Sequence, residues 1–103
     1  MKNNVNKEYT ASLSTLIENK EPSLYQVMIH NDDFTPREFI VMVLEKFFYM
    51  ERARAAQVMM DVQAKGRAVC GVFSKDFAEA KIDQVIEFSV SHDHPLHCSL
   101  EIA

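Results

Sequence analysis

Asn31, Asp32 and Asp33 stand side by side, followed at once by Phe34-Thr35-Pro36-Arg37-Glu38. Three short polar side chains in a row gather amide and carboxylate oxygens at one point of the chain. The residues that come next, Phe39 to Leu44, are all apolar. A cluster of oxygens beside an apolar helix suits a cation with a greasy attachment. The same three residues also make an ordinary Asx turn with solvated acids, which is the commoner use of Asn and Asp.

A second constellation lies further on. Met59, Val62 and Gln63 fall at i, i+3 and i+4, so on a helix they share one face. Two are apolar and the third ends in an amide. A core-facing stripe with a polar edge has the same pattern.

Other residues that could do chemistry are less suited to it. Cys70 sits among Ala68, Val69 and Val72, where a cysteine behaves as a small hydrophobe. A nucleophilic cysteine needs an adjacent base and an electropositive setting, and the sequence offers neither. His92, His94, His97 and Cys98 straddle His94-Pro95 and match no zinc spacing. Asp32 and Asp33 are adjacent in a turn, so they do not face one substrate as an acid–base pair. Only two glycines are present, too few for a phosphate loop. No catalytic residue, metal ligand or cofactor is expected.

The elements that must position these residues can be read from periodicity. Tyr25, Val27 and Ile29 alternate with Gln26, Met28 and His30, as in a strand. Thr35 is placed to cap a helix that has Pro36 at its first position and Glu38 closing a capping box. That helix runs from Pro36 to about Phe48 and is apolar almost all round, which calls for burial on more than one side. A second helix spans about Glu51 to Lys65, with Gly66 as its left-handed cap. Arg67 to Phe73 reads as a strand with small or apolar residues on both faces, hence central in its sheet. Ser74 caps a third helix, to about Val90, with Ala78, Ile82, Val85 and Ile86 as its buried stripe. Leu96, Cys98, Leu100 and Ile102 alternate with polar residues in a last strand. The order βααβαβ predicts an α+β domain: a compact three-stranded antiparallel sheet with three helices.

The chain divides near Pro22. Residues 1–21 are polar and asparagine-rich, and read as a flexible N-terminal extension. Residues 22–103 form the single folded domain. With 48% hydrophobic and 25% charged residues among 103, the composition is that of a globular domain able to bury a core. Two cysteines and no secretory leader point to a reducing cytoplasm. The longest apolar run, Phe39 to Leu44, is too short to span a bilayer. A formal net charge of −4, with no basic stripe, argues against nucleic acid and favours an amine or a basic partner.

Taken in order, several segments resemble one family. They are Asn-Asp-Asp-Phe-Thr-Pro at 31–36, Lys46-Phe47-Phe48, Gly-Arg-Ala-Val-Cys-Gly-Val-Phe at 66–73, Ala78-Glu79-Ala80-Lys81, and His-Pro-Leu-x-Cys-x-Leu-Glu at 94–101. From about Pro22 to the end, the chain resembles ClpS, the bacterial adaptor that brings N-degron substrates to the ClpAP protease. The resemblance implies a non-enzymatic adaptor that recognises an N-terminal Phe, Tyr, Trp or Leu and delivers its bearer to a Clp AAA+ unfoldase. By match, Asn31 and Asp32 engage the α-ammonium group, while Thr35, Ile40, Met59, Val62 and Leu96 line the side-chain pocket. Asp76 and Lys81 match positions that dock on the N-terminal domain of a ClpA-type unfoldase, and the tail matches the extension that the unfoldase engages.

Two positions depart from the family pattern. Members usually carry Met where Arg37 stands, at the pocket mouth, and His where Gln63 stands. That His normally holds the α-ammonium together with the Asn. Both changes fall at the binding site and leave the fold expectation untouched. The alternative expectation is therefore a regulator that docks on the unfoldase but binds N-degrons weakly or with altered breadth.

Overall fold

The computed structural model describes residues 23–103. The expected extension, residues 1–21, lies outside them. Six elements follow one another: β1 (Leu24–His30), α1 (Arg37–Phe48), α2 (Arg52–Lys65), β2 (Arg67–Ser74), α3 (Lys75–Ser91) and β3 (His97–Ile102). They form the expected α+β architecture, with both strand pairings antiparallel.

The sheet order is β2-β1-β3, so β1 is central and β2 is an edge strand. This corrects the expectation that Arg67 to Phe73 would be central. Small residues on both faces of β2 mimic a buried strand, but Val69 and Val72 are exposed. On β1, by contrast, Val27, Met28 and Ile29 are all buried in succession, as a strand flanked on both sides requires. The β1–β2 register skips a residue between Gly71 and Val69, leaving Cys70 in a bulge.

The three helices pack on this sheet. α3 touches all three strands, α2 packs on β2, and α1 contacts α2, α3 and β2. The nearly all-round apolarity of α1 is used in this way: Phe39, Ile40, Val41, Val43 and Leu44 are buried, and only Met42 faces out. Leu44 is fully buried in the cluster shared with Ile29, Val58 and Val85. Truncating such a side chain to Ala costs about 2–5 kcal/mol.

Helix ends differ in detail from the sequence reading. α1 begins at Arg37, with Pro36 extended in the cap position, and its cap makes no side-chain hydrogen bond. Thr35 is not the N-cap: it lies one residue before the cap position, and its hydroxyl donates to the Asp32 carboxylate. Ser74 occupies the cap position of α3 but likewise makes no capping bond. Gly66 does cap α2, at φ 89°, and its N–H donates to the Val62 carbonyl. The inward stripe of α3 is Ala78, Lys81, Val85 and Ser89, with Ile82 only half-buried and Ile86 exposed. The buried Ser89 hydroxyl is satisfied by donating to the Val85 carbonyl, 2.8 Å away.

Candidate functional site

The turn between β1 and α1 is held from both sides. The Asn31 N–H donates to the Gly66 carbonyl at 2.8 Å, tying the turn to the C-cap of α2. Within the turn, Asp32 Oδ1 accepts the N–H groups of Phe34 and Thr35, each at 2.8 Å. The Thr35 hydroxyl donates to the same carboxylate, 2.9 and 2.8 Å from its two oxygens. Asp32 is thus an Asx-turn acceptor, as the plainer reading of these residues has it, and its negative charge is fixed beside Asn31. Asp33 is exposed.

A side-chain hydrogen bond also joins the turn to α2. Gln63 Nε2 donates to Asn31 Oδ1 at 3.1 Å, across 32 residues of sequence. Two candidates from separate elements are therefore brought together. Beside this contact lies a pocket of 360 Å³ lined by Arg37, Met59, Met60, Gln63 and Ala64. The Asn31 and Gln63 amides at its edge, with thioethers and the Arg37 stem in its lining, can receive a cation carrying an apolar group.

The remaining candidates are placed differently. Thr35, Ile40, Val62 and Leu96 are buried, at 7%, 1%, 0% and 7% exposure. Ile40, Val62 and Leu96 belong to the core cluster, against which Met59 packs. Thr35, Ile40, Val62 and Leu96 are not in the lining of this pocket. Asp76 is exposed in the first turn of α3. Lys81 is not exposed: it is 6% accessible, with its ammonium 5.0 Å from the Tyr49 ring centroid and 5.2 Å from that of Phe77. Met60 and Ala64 were missed by the sequence reading. The signal for them is an exposed Met at i−3 and a small residue at i+1 from Gln63, which widen the α2 face toward Arg37.

The other reactive residues are engaged elsewhere. His92 and His94 pack on Phe39, with centroids 5.5 and 4.4 Å away. His97 packs edge-on against His30 at 4.7 Å. Among the described residues no three His, Cys, Asp or Glu converge. Burial pushes the thiols of Cys70 and Cys98 up to about 12, which keeps them protonated. No described helix is long and apolar enough to cross a membrane.

Fold and site together define a small α+β domain with a ligand-sized pocket and an oxygen-bearing turn at its edge. The family model for the ATP-dependent Clp protease adaptor protein ClpS matches residues 20–99. The chain belongs to the ClpS family of Clp protease adaptors. It is 56% identical over 84 residues to the ATP-dependent Clp protease adapter protein ClpS of Alkalilimnicola ehrlichii, covering 82% of this chain and 79% of that one. The corresponding protein of Aromatoleum aromaticum is 52% identical over 82 residues, 80% of each chain. Among solved structures, Agrobacterium tumefaciens ClpS2 bound to L-phenylalaninamide superposes with a TM-score of 0.78 at 37% identity, covering 81% of this chain and 100% of that one.

Proposed function

We propose that this chain is a non-enzymatic cytoplasmic adaptor that binds proteins through an N-terminal Phe, Tyr, Trp or Leu. It presents them to the N-terminal domain of a ClpA-type AAA+ unfoldase. Residues 22–103 are the adaptor core, and residues 1–21 are the extension that the unfoldase engages. The observation that carries the reading is the Gln63–Asn31 contact at the edge of the methionine-lined pocket. An α-ammonium held by these amide oxygens would leave the first side chain to enter the pocket, which supports the reading. The ligand-bound relative supports the same use, since phenylalaninamide combines a free amine with a large apolar side chain.

A second reading is favoured by the same contact. Gln63 spends a donor on Asn31, and Arg37 lines the pocket. An adaptor so built docks on its unfoldase but holds N-degrons weakly. Fluorescence anisotropy with Phe-initiated peptides, free and N-acetylated, separates the two. Burying an ammonium needs paired acceptors, and acetylation removes the charge. Binding of the free peptide, loss on acetylation, and a cost of about 1–3 kcal/mol for Asn31→Ala are expected. Equal affinity for both peptides would refute the ammonium site. Absence of binding with docking intact would favour the second reading.

A further inference from the structure

α2 carries a second pocket on its other flank. Arg54, Val58, Asp61 and Lys65 recur at intervals of three and four, so they share one side of the helix. With Gln57 they wall a cavity of 460 Å³ against Arg67, Ala68 and Val69 of β2 and Met28 of β1. Its apolar part is Met28 and Val58, both buried. Its charged part is Arg54, Lys65 and Arg67, against the carboxylate of Asp61. In a chain of formal net charge −4, that is a local reversal of sign. Arg67 is satisfied by Glu101 at 2.8 Å, whereas among the described residues Arg54 and Lys65 make no salt bridge.

The setting suits a peptide chain better than a free anion. β2 is an edge strand, so alternate N–H and C=O groups on its outer side have no strand partner and are open to an extended chain. Val69, exposed on this strand, adds an apolar contact. The cavity also adjoins the candidate pocket along α2. Met60 and Ala64, which line the candidate pocket, immediately precede Asp61 and Lys65, which line this one. Met60 and Ala64 are exposed and uncharged, so the way from one pocket to the other is open. A chain crossing the solvent side of a helix about 10 Å across covers about half its circumference, roughly 16 Å. That is about five extended residues at ~3.3 Å each.

We propose that this cavity is a second subsite for the bound substrate, taking an acidic side chain about five residues beyond the first residue, with Arg54 and Lys65 as its cations. The inference rests on the N-degron reading, because a first residue held at the Asn31–Gln63 contact is what starts the chain beside α2. Acidity of the occupant follows from the lining: each exposed charge pair adds up to about fivefold in affinity. Spacing matters because Asp61 follows Met60 directly, so an acid placed too early meets a like charge. The net charge of −4 opposes an acidic peptide elsewhere, so a gain in affinity must be local.

The test is an anisotropy titration of the full chain with Phe-initiated peptides of Gly and Ser in which a Glu-Glu pair is moved stepwise from about the third residue to about the ninth. Each is compared with a Gln-Gln peptide of the same spacing. At low salt the Glu-Glu peptide is expected to bind about three- to fivefold more tightly than its control when the pair lies near the sixth residue. The gain should fall away on either side and be screened at high salt. Arg54→Gln combined with Lys65→Gln brings the ratio to about one, whereas Arg54→Lys combined with Lys65→Arg retains it. A ratio near one at every spacing on the parent would overturn the inference and leave the N-degron reading intact. A preference for Glu-Glu that survives the double Gln variant would overturn it too, by placing the effect elsewhere. A parent chain that binds no Phe-initiated peptide removes the N-degron reading and the inference with it.

Discussion

Replacing Gln63 by His should strengthen N-degron binding about tenfold near pH 7.5 and hardly at all near pH 5.5, because one acceptor is gained that protonation then removes. In the structure, the Gln63 amide donates to Asn31 Oδ1 at 3.1 Å and so turns its N–H side toward the turn. An arriving ammonium must share the second lone pair of that oxygen or rotate the Gln63 amide to expose Oε1. Rotation orders a side chain with three torsions, whereas an imidazole has two and loses less freedom. The difference is about one net hydrogen bond, roughly 1.4 kcal/mol, or tenfold in affinity. With an ordinary imidazole near 6.5, about a tenth of the histidine remains neutral at pH 5.5, and the advantage is cancelled. The ligand's α-amine, near 7.7–8.0, titrates alike with both proteins, so the ratio of affinities isolates the side chain. Gln63 is half-buried and outside the core cluster, so the exchange should not disturb folding. The assay is isothermal titration of a Leu-initiated peptide against both proteins over this pH range. Equal affinity near pH 7.5, or an equal loss in acid, would refute the reasoning.

Three further outcomes are expected. Arg37→Met should sharpen discrimination between Leu- and Ile-initiated peptides, since Arg37 lines the pocket with a flexible stem; an unchanged ratio of affinities in anisotropy titrations would count against its role at the mouth. Removing residues 1–21 should leave peptide affinity and docking within about twofold but abolish degradation of a model N-degron substrate, as a polar tail adds little to a core; full degradation by the truncated chain would make the tail a bystander. Cys70 and Cys98, both raised to about 12 by burial, should resist a thiol reagent at about pH 8 in the native chain and react once it is unfolded in urea; rapid native labelling would contradict the burial.

Much of this molecule is legible along the chain because it depends on neighbours in sequence. The apolar run Phe39 to Leu44 opening just after Pro36, the left-handed demand met by Gly66, and the alternation of Leu96 to Ile102 are local signals, and the elements appear where they point. The joint motifs likewise sufficed for the family, since Asn31 to Pro36 and His94 to Glu101 carry it without any coordinates. Three-dimensional contacts decided the rest. Whether β1 or β2 is central depends on which edges pair, and hydropathy does not encode pairing: β2 looks buried yet lies at the edge. Thr35 reads as a cap by sequence, but the helix starts one residue later, with Pro36 in the cap position, and the Thr35 hydroxyl donates to Asp32. Lys81 reads as a surface charge because lysine usually is one, and only the packing of Tyr49 and Phe77 over it takes it out of water. The site itself, where Gln63 reaches Asn31 from 32 residues away, exists only because α2 returns to the turn. Sequence supplied the residue types; distance between them is a property of the fold alone.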